Sequence, residues 1–167
     1  MKKLFTFLII FSAAFALAQT DTTNTELPSI TLKNTDGNDV DIASYGTNGK
    51  PTIVSFWATW CKPCIKELKN VNELLEDWQY EYDVELVAVS VDDSRNVVKV
   101  KPIVNGLGWD FDVILDVNGD LQRAMNVANP PATFLIDEHG KIVYTHTGYV
   151  EGDEYELEDH LKELKSE

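Results

Sequence analysis

Phe56-Trp57-Ala58-Thr59-Trp60-Cys61-Lys62-Pro63-Cys64 holds both cysteines of the 167-residue chain and the junction that decides its fold. Upstream, Thr52-Ile53-Val54-Ser55-Phe56-Trp57 is a continuous, mostly apolar run, the pattern of a strand buried on both faces. Downstream, Cys64, Leu68, Val71, Leu75 and Trp78 recur at steps of four and three, so they share one face of a helix. Pro63 fits the first turn of that helix, where its missing N–H costs nothing. Cys61 therefore stands where a buried strand turns into a helix amino terminus, with Lys62, Lys66 and Lys69 lying off the apolar stripe.

Two thiols spaced C-x-x-C can close into a disulfide or open into a dithiol. Bridging so short a loop stabilises a fold by only about 2 kcal/mol on the chain-entropy model, which makes the pair a poor staple. Its use is chemical: exchange of a disulfide for two thiols with a partner. Unpaired N–H groups at the helix tip favour an anion at Cys61, and Lys62 adds a positive charge. Cys64, one turn in on the buried face, is kept protonated by its low-dielectric surroundings. Cys61 is thus the attacking sulfur and Cys64 the resolving one. A structural zinc site needs four ligands, and with no second cysteine pair and with His139, His146 and His160 scattered, none is expected. The histidines read as surface residues.

The rest of the chain builds a sheet around this junction. Ile30-Thr31-Leu32 and Val40-Asp41-Ile42 flank the turn Asp36-Gly37-Asn38, a β-hairpin. Val84 to Val91 is a second buried strand. Asp92-Asp93-Ser94 offers a helix cap before an irregular helix to about Leu107. Phe111 to Leu115 forms an extra strand, and Leu121 to Val127 a short helix after Asn118-Gly119. Thr133–Asp137 and Ile142–Thr147 flank Glu138-His139-Gly140 as an antiparallel pair. A last helix aligns Leu157, Leu161 and Leu164. The order predicts an α/β fold, a mixed central sheet with helices on both faces.

The amino terminus reads as an address. Lys2 and Lys3, the apolar run Leu4–Phe15 and Ala16-Leu17-Ala18 have the layout of a secretory signal peptide cleaved after Ala18. The alternative is an uncleaved anchor, although the run is short for a membrane span. Residues 19–28 read as a flexible polar tail and 29–167 as one domain. Losing Lys2 and Lys3 takes the formal charge from −14 to −16. Such acidity opposes binding to nucleic acid. An exported location, periplasmic or in the envelope, is one where disulfides form and persist.

The stretch from Phe56 to Cys64, together with Gly49-Lys50-Pro51, Val89-Ser90-Val91-Asp92, Pro131-Ala132-Thr133-Phe134-Leu135-Ile136-Asp137 and Gly140-Lys141-Ile142-Val143 leading to Gly148, resembles the thioredoxin superfamily. More narrowly, it resembles the exported TlpA/ResA-like thiol–disulfide oxidoreductases. The resemblance implies a thioredoxin fold with the amino-terminal hairpin, and a cis-proline, matched by Pro131, facing the cysteines. Pro130 precedes it and has no N–H, so one of two backbone hydrogen bonds to a substrate strand is missing and looser peptide binding is expected. Ser55 stands where cytoplasmic thioredoxins carry a buried acid. Glu67 matches a glutamate of the ResA-like group and is the expected proton acceptor for Cys64. Trp60 offers an apolar contact beside the nucleophile, and Tyr149 belongs to a loop the resemblance puts near the site.

The implied activity is disulfide reduction in exported proteins, apocytochrome c among them, with electrons from a membrane thiol-transfer protein. No metal or organic cofactor is required, because the cysteine pair carries the two electrons. A disulfide oxidant or isomerase is the alternative, since a stabilised thiolate also stabilises the reduced state. A peroxiredoxin-type peroxidase would need a P-x-x-x-T-x-x-C pattern that Ser55–Trp60 does not supply. A non-catalytic binding domain would leave the cysteines dispensable.

Overall fold

The computed structural model describes residues 26–166; the expected signal peptide and most of the expected tail lie outside them. Among the described residues, seven strands form one sheet: β1 (Thr31–Asn34), β2 (Asp39–Asp41), β3 (Thr52–Trp57), β4 (Glu85–Ser90), β5 (Asp112–Leu115), β6 (Ala132–Ile136) and β7 (Ile142–Thr147). Their spatial order is β2-β1-β5-β4-β3-β6-β7. The pairs β3–β4 and β4–β5 are parallel, and the others are antiparallel. The β1–β2 hairpin thus extends the sheet through β5.

Two parallel crossovers are made by α1 (Lys62–Tyr82) and α2 (Val100–Leu107). Right-handed crossovers in the same direction along a sheet lay both helices on one face. The carboxy-terminal α4 (Asp153–Ser166) joins them there: Leu68, Val71, Leu75 and Trp78 of α1, Val100 and Val104 of α2, and Leu157 and Leu161 of α4 form one apolar cluster with Ile53, Trp57 and Leu135 of the sheet. Leu68 is fully buried, and truncation of such a leucine to alanine costs about 2–5 kcal/mol. Among the described residues, the opposite face carries only the five-residue α3 (Asp120–Ala124), a 3₁₀ turn at Ile42–Ser44 and loop side chains such as Leu27, Tyr45 and Met125. Helices do cover both faces, but unequally.

Two boundaries differ from the sequence reading. Glu26 pairs with Lys141 and Leu27 is buried in the second cluster, so the ordered domain starts before residue 29. A single leucine supplies the anchor that a mostly polar stretch conceals. The expected helix cap after β4 is absent: Asp93 Oδ1 accepts from the N–H groups of Arg95 and Asn96 in a turn, and the helical segments from Val97 onward start without a side-chain cap. Asp92 turns inward instead. Among the described residues, no helix is long and apolar enough to cross a membrane.

Candidate active site

All the elements of the site meet at the carboxy-terminal ends of β3 and β4. β3 is buried at all six positions and delivers the chain to Ala58 and Thr59. There Asp92, completely buried just beyond β4, takes hold of the loop. Its Oδ2 accepts from Thr59 N–H (2.8 Å) and from the Ser90 hydroxyl (2.9 Å), and its Oδ1 accepts from the Thr59 hydroxyl (2.7 Å). Three donors on one carboxylate fix the residue two places before the first cysteine. Sequence reasoning assigned Asp92 to capping and missed this clamp.

Trp60 then projects into solvent, 60% exposed. Cys61 turns back, its N–H donating to Ala58 O (3.0 Å), and becomes the N-cap of α1. The Cys64 N–H points at Cys61 Sγ from 3.3 Å. Cys61 and Cys64 are joined as a disulfide. Cys61 retains 5% exposure and Cys64 none, so only the first sulfur is open to a partner. Lys62 and Pro63 are exposed beside them, with Pro63 in the first helical turn.

The opposite wall is the loop before β6. The Pro130–Pro131 peptide bond is cis. Pro131 is buried and Pro130 partly so. Pro131 O accepts from Gly148 N–H (2.9 Å), which ties this wall to the end of β7. Gly148 has φ +88°, a left-handed conformation that favours glycine, and it sends the chain into Tyr149.

Behind the disulfide lies a buried polar pocket. Glu67 is one helical turn after Cys64, a spacing that brings Cβ atoms to about 5–6 Å. It is 5% exposed. The Thr133 hydroxyl donates to its Oε1 (2.5 Å) and also approaches Ser55 Oγ (3.3 Å). Glu67 Oε2 is buried with no partner. Burial pushes the Glu67 carboxyl from 4.5 up to about 7; the Thr133 hydrogen bond opposes this, and the charges of Asp153 and Glu154 add to it. Glu154, also buried, behaves oppositely. Burial raises it, but donors from its own backbone N–H, the Tyr149 hydroxyl, Gly152 N–H and Asn70 Nδ2 outweigh burial and hold it below the usual carboxylate range.

Tyr149 is partly buried, and its hydroxyl is engaged on both sides. It donates to Glu154 Oε2 (2.8 Å) and accepts from Asn70 Nδ2 (2.7 Å), which ties α1 to α4. His146 is not a surface residue: its side chain is 29% exposed, and its Nε2 lies 3.0 Å from Asp153 Oδ2. Asn70, His146, Asp153 and Glu154 were not singled out as site residues from sequence. The one signal for Asn70 is its position two helical steps from Cys64, beyond Glu67. Among the described residues, no group of three or more His, Cys, Asp or Glu is placed to hold a metal ion. The redox group is the disulfide itself.

The comparisons with known proteins agree with this geometry. Residues 23–145 match the AhpC/TSA family. The chain is 32% identical over 139 residues to the thiol–disulfide oxidoreductase ResA of Bacillus subtilis, covering 83% of this chain and 75% of that one. The solution structure of a thioredoxin-like protein from Porphyromonas gingivalis is 52% identical, with a TM-score of 0.74 over 84% of this chain and 94% of that one. The crystal structure of StoA from Bacillus subtilis is 28% identical, with a TM-score of 0.63 over 79% and 98%. The chain belongs to the AhpC/TSA family of thioredoxin-like proteins and, within it, is a thiol–disulfide oxidoreductase of the ResA type.

Proposed function

We propose that this oxidoreductase works as a reductant of disulfides in exported proteins, with Cys61 as nucleophile, Cys64 as resolving thiol and Glu67 as the proton acceptor of Cys64. The observation that carries this reading is the unequal setting of the two sulfurs: Cys61 caps α1 at the surface, while Cys64 has no exposed area and has a buried carboxyl one turn behind it. In the dithiol state, Cys61 attacks a substrate disulfide and expels one substrate thiolate. Cys64 then gives its proton to Glu67 and attacks Cys61 Sγ, which closes the disulfide and releases the second substrate sulfur as a thiolate. A carboxyl that titrates near 7 is matched to accept and return such a proton at neutral pH.

The reducing direction is supported by charge. Asp92 and Glu67 bring two buried carboxyl groups to the loop and helix that carry the cysteines, while Lys62 stands outside in solvent. Negative charge near a thiolate disfavours the dithiol state and lowers the potential; about 30 mV corresponds to about 1.4 kcal/mol. The helix terminus and Lys62 act the other way and favour the oxidant or isomerase reading. Equilibration with glutathione decides between them. A potential more reducing than thioredoxin's, about −270 mV, fits the proposal, and one close to the strong oxidant value of about −120 mV overturns it.

Trp60 and the Pro130–Pro131 wall are the substrate-facing surfaces in this reading, and Tyr149 serves the interior by holding Glu154. Pro130 offers no N–H, so substrate main chain meets one fewer donor. Export by the segment 1–18, apocytochrome c as a substrate, and a membrane thiol-transfer protein as electron donor complete the proposal. Amino-terminal sequencing of protein purified from the host envelope tests the first. A Cys64→Ser trap analysed by mass spectrometry tests the other two.

A further inference from the structure

Glu67 Oε2 is a buried polar atom without a partner, and it borders a cavity. That cavity has a volume of about 10 Å³ and is lined by Glu67, Thr133, Tyr144, His146, Tyr149 and residues at the start of α4. Such a space admits about one water, provided polar groups surround it. A buried polar atom is rarely left unpaired when a water can reach it. Accepting the proton of Cys64 is of use only if Glu67 can lose it again, and on the sheet side its Oε1 meets Thr133 and, beyond it, Ser55, both buried. The exit must lie on the Oε2 side.

The groups facing Glu67 there are Tyr144 and His146 from β7, Tyr149 from the following loop, Asp153 and Glu154 from α4, with Cys64 on its own helix. The Tyr149 hydroxyl already accepts from Asn70 and donates to Glu154. Burial and the nearby charge of Glu156 hold the Tyr144 hydroxyl well above its usual range. Glu154 is held as a carboxylate by its donors. His146 differs. Its Nε2 faces Asp153 Oδ2 at 3.0 Å, which makes Nε2–H the donor and Nδ1 the acceptor of the ring. Its partial exposure puts it at the mouth of the cavity.

We infer that this cavity is a proton port: one water links Glu67 Oε2 to His146, and His146, held by Asp153, passes the proton to solvent. The step rests on the role proposed above for Glu67. As Cys64 closes the disulfide and the substrate thiolate leaves, the Cys64 proton moves to Glu67. It then moves through the water to the His146 ring, whose imidazolium pairs with Asp153 and gives a proton to the buffer. The departing thiolate takes its own proton from solvent. His146 and Asp153 touch neither sulfur and are positioning residues.

The test uses the reduced protein and dithionitrobenzoate in a stopped-flow instrument. Attack by Cys61 releases one coloured thiolate, and resolution by Cys64 releases the second. His146→Ala and His146→Gln should leave the first phase unchanged and slow the second by about a hundredfold, the low end for a lost proton-transfer group. Added imidazole should restore the second phase of His146→Ala in proportion to its concentration, which a merely structural role would not produce. Glu67→Gln is the reference. A slow second phase in Glu67→Gln, with both His146 variants within twofold of the parent or unresponsive to imidazole, overturns the port and leaves the role of Glu67 standing. A normal second phase in Glu67→Gln removes both.

Discussion

Replacing Glu67 with glutamine should change how stability depends on pH, by an amount the structure sets. The carboxyl titrates at about 7 in the fold and near 4.5 when the chain unfolds. Between those values the native state binds more protons than the unfolded state, so stability is fully present below pH 4.5 and is lost as pH rises through 7. At about 1.4 kcal/mol per tenfold change, the full effect is about 3 kcal/mol, most of which falls between pH 5 and pH 8. Glutamine is neutral throughout and can still accept from the Thr133 hydroxyl. Urea unfolding of the oxidised protein at a series of pH values measures both chains. Glu67→Gln should gain about 2 to 3 kcal/mol on the parent between pH 5 and pH 8. A difference that stays constant within about 0.5 kcal/mol over that range would show that Glu67 does not titrate as a buried acid.

Other perturbations give separate readings. Asp92→Ala leaves Thr59 N–H, the Thr59 hydroxyl and the Ser90 hydroxyl without their acceptor; urea unfolding should show a loss of about 3 kcal/mol, and a loss below about 1 kcal/mol contradicts the clamp. Pro130→Thr restores an N–H beside the disulfide and should slow release of a peptide trapped on Cys61 in a Cys64→Ser background; an unchanged release rate shows that Pro130 does not limit substrate binding. Cys64→Ser itself should accumulate mixed disulfides through Cys61 in the native host, whereas Cys61→Ser should accumulate none.

The strand–helix junction was legible in the sequence because both of its signals are local. The run Thr52–Trp57 and the four-and-three spacing from Cys64 to Trp78 can be read without knowing what packs on them. Glu67 was also legible in position, one turn after Cys64, because it matches a glutamate of the ResA-like group. The depth of its burial was not, because that depends on Thr133 and on α4. Asp92 was misread for a physical reason: an aspartate ahead of a helix can satisfy local N–H groups or reach across the fold, and its partner Thr59 lies 33 residues away. The Asn70–Tyr149–Glu154 link spans 79 and 84 residues and has no local signature. Leu27 looked like part of a tail because one apolar residue among polar ones carries no periodicity. Its burial comes from packing in the second core cluster, next to Glu26, which bridges to Lys141.

The most direct measurement is the pH dependence of alkylation of the reduced protein, with the site of modification read by mass spectrometry. Cys61 should react first and ionise well below the free-cysteine value of about 8.5, while Cys64 stays unmodified until the fold is opened. Alkylation that begins at Cys64, or a Cys61 no more acidic than a free thiol, would contradict the division of labour between the two sulfurs.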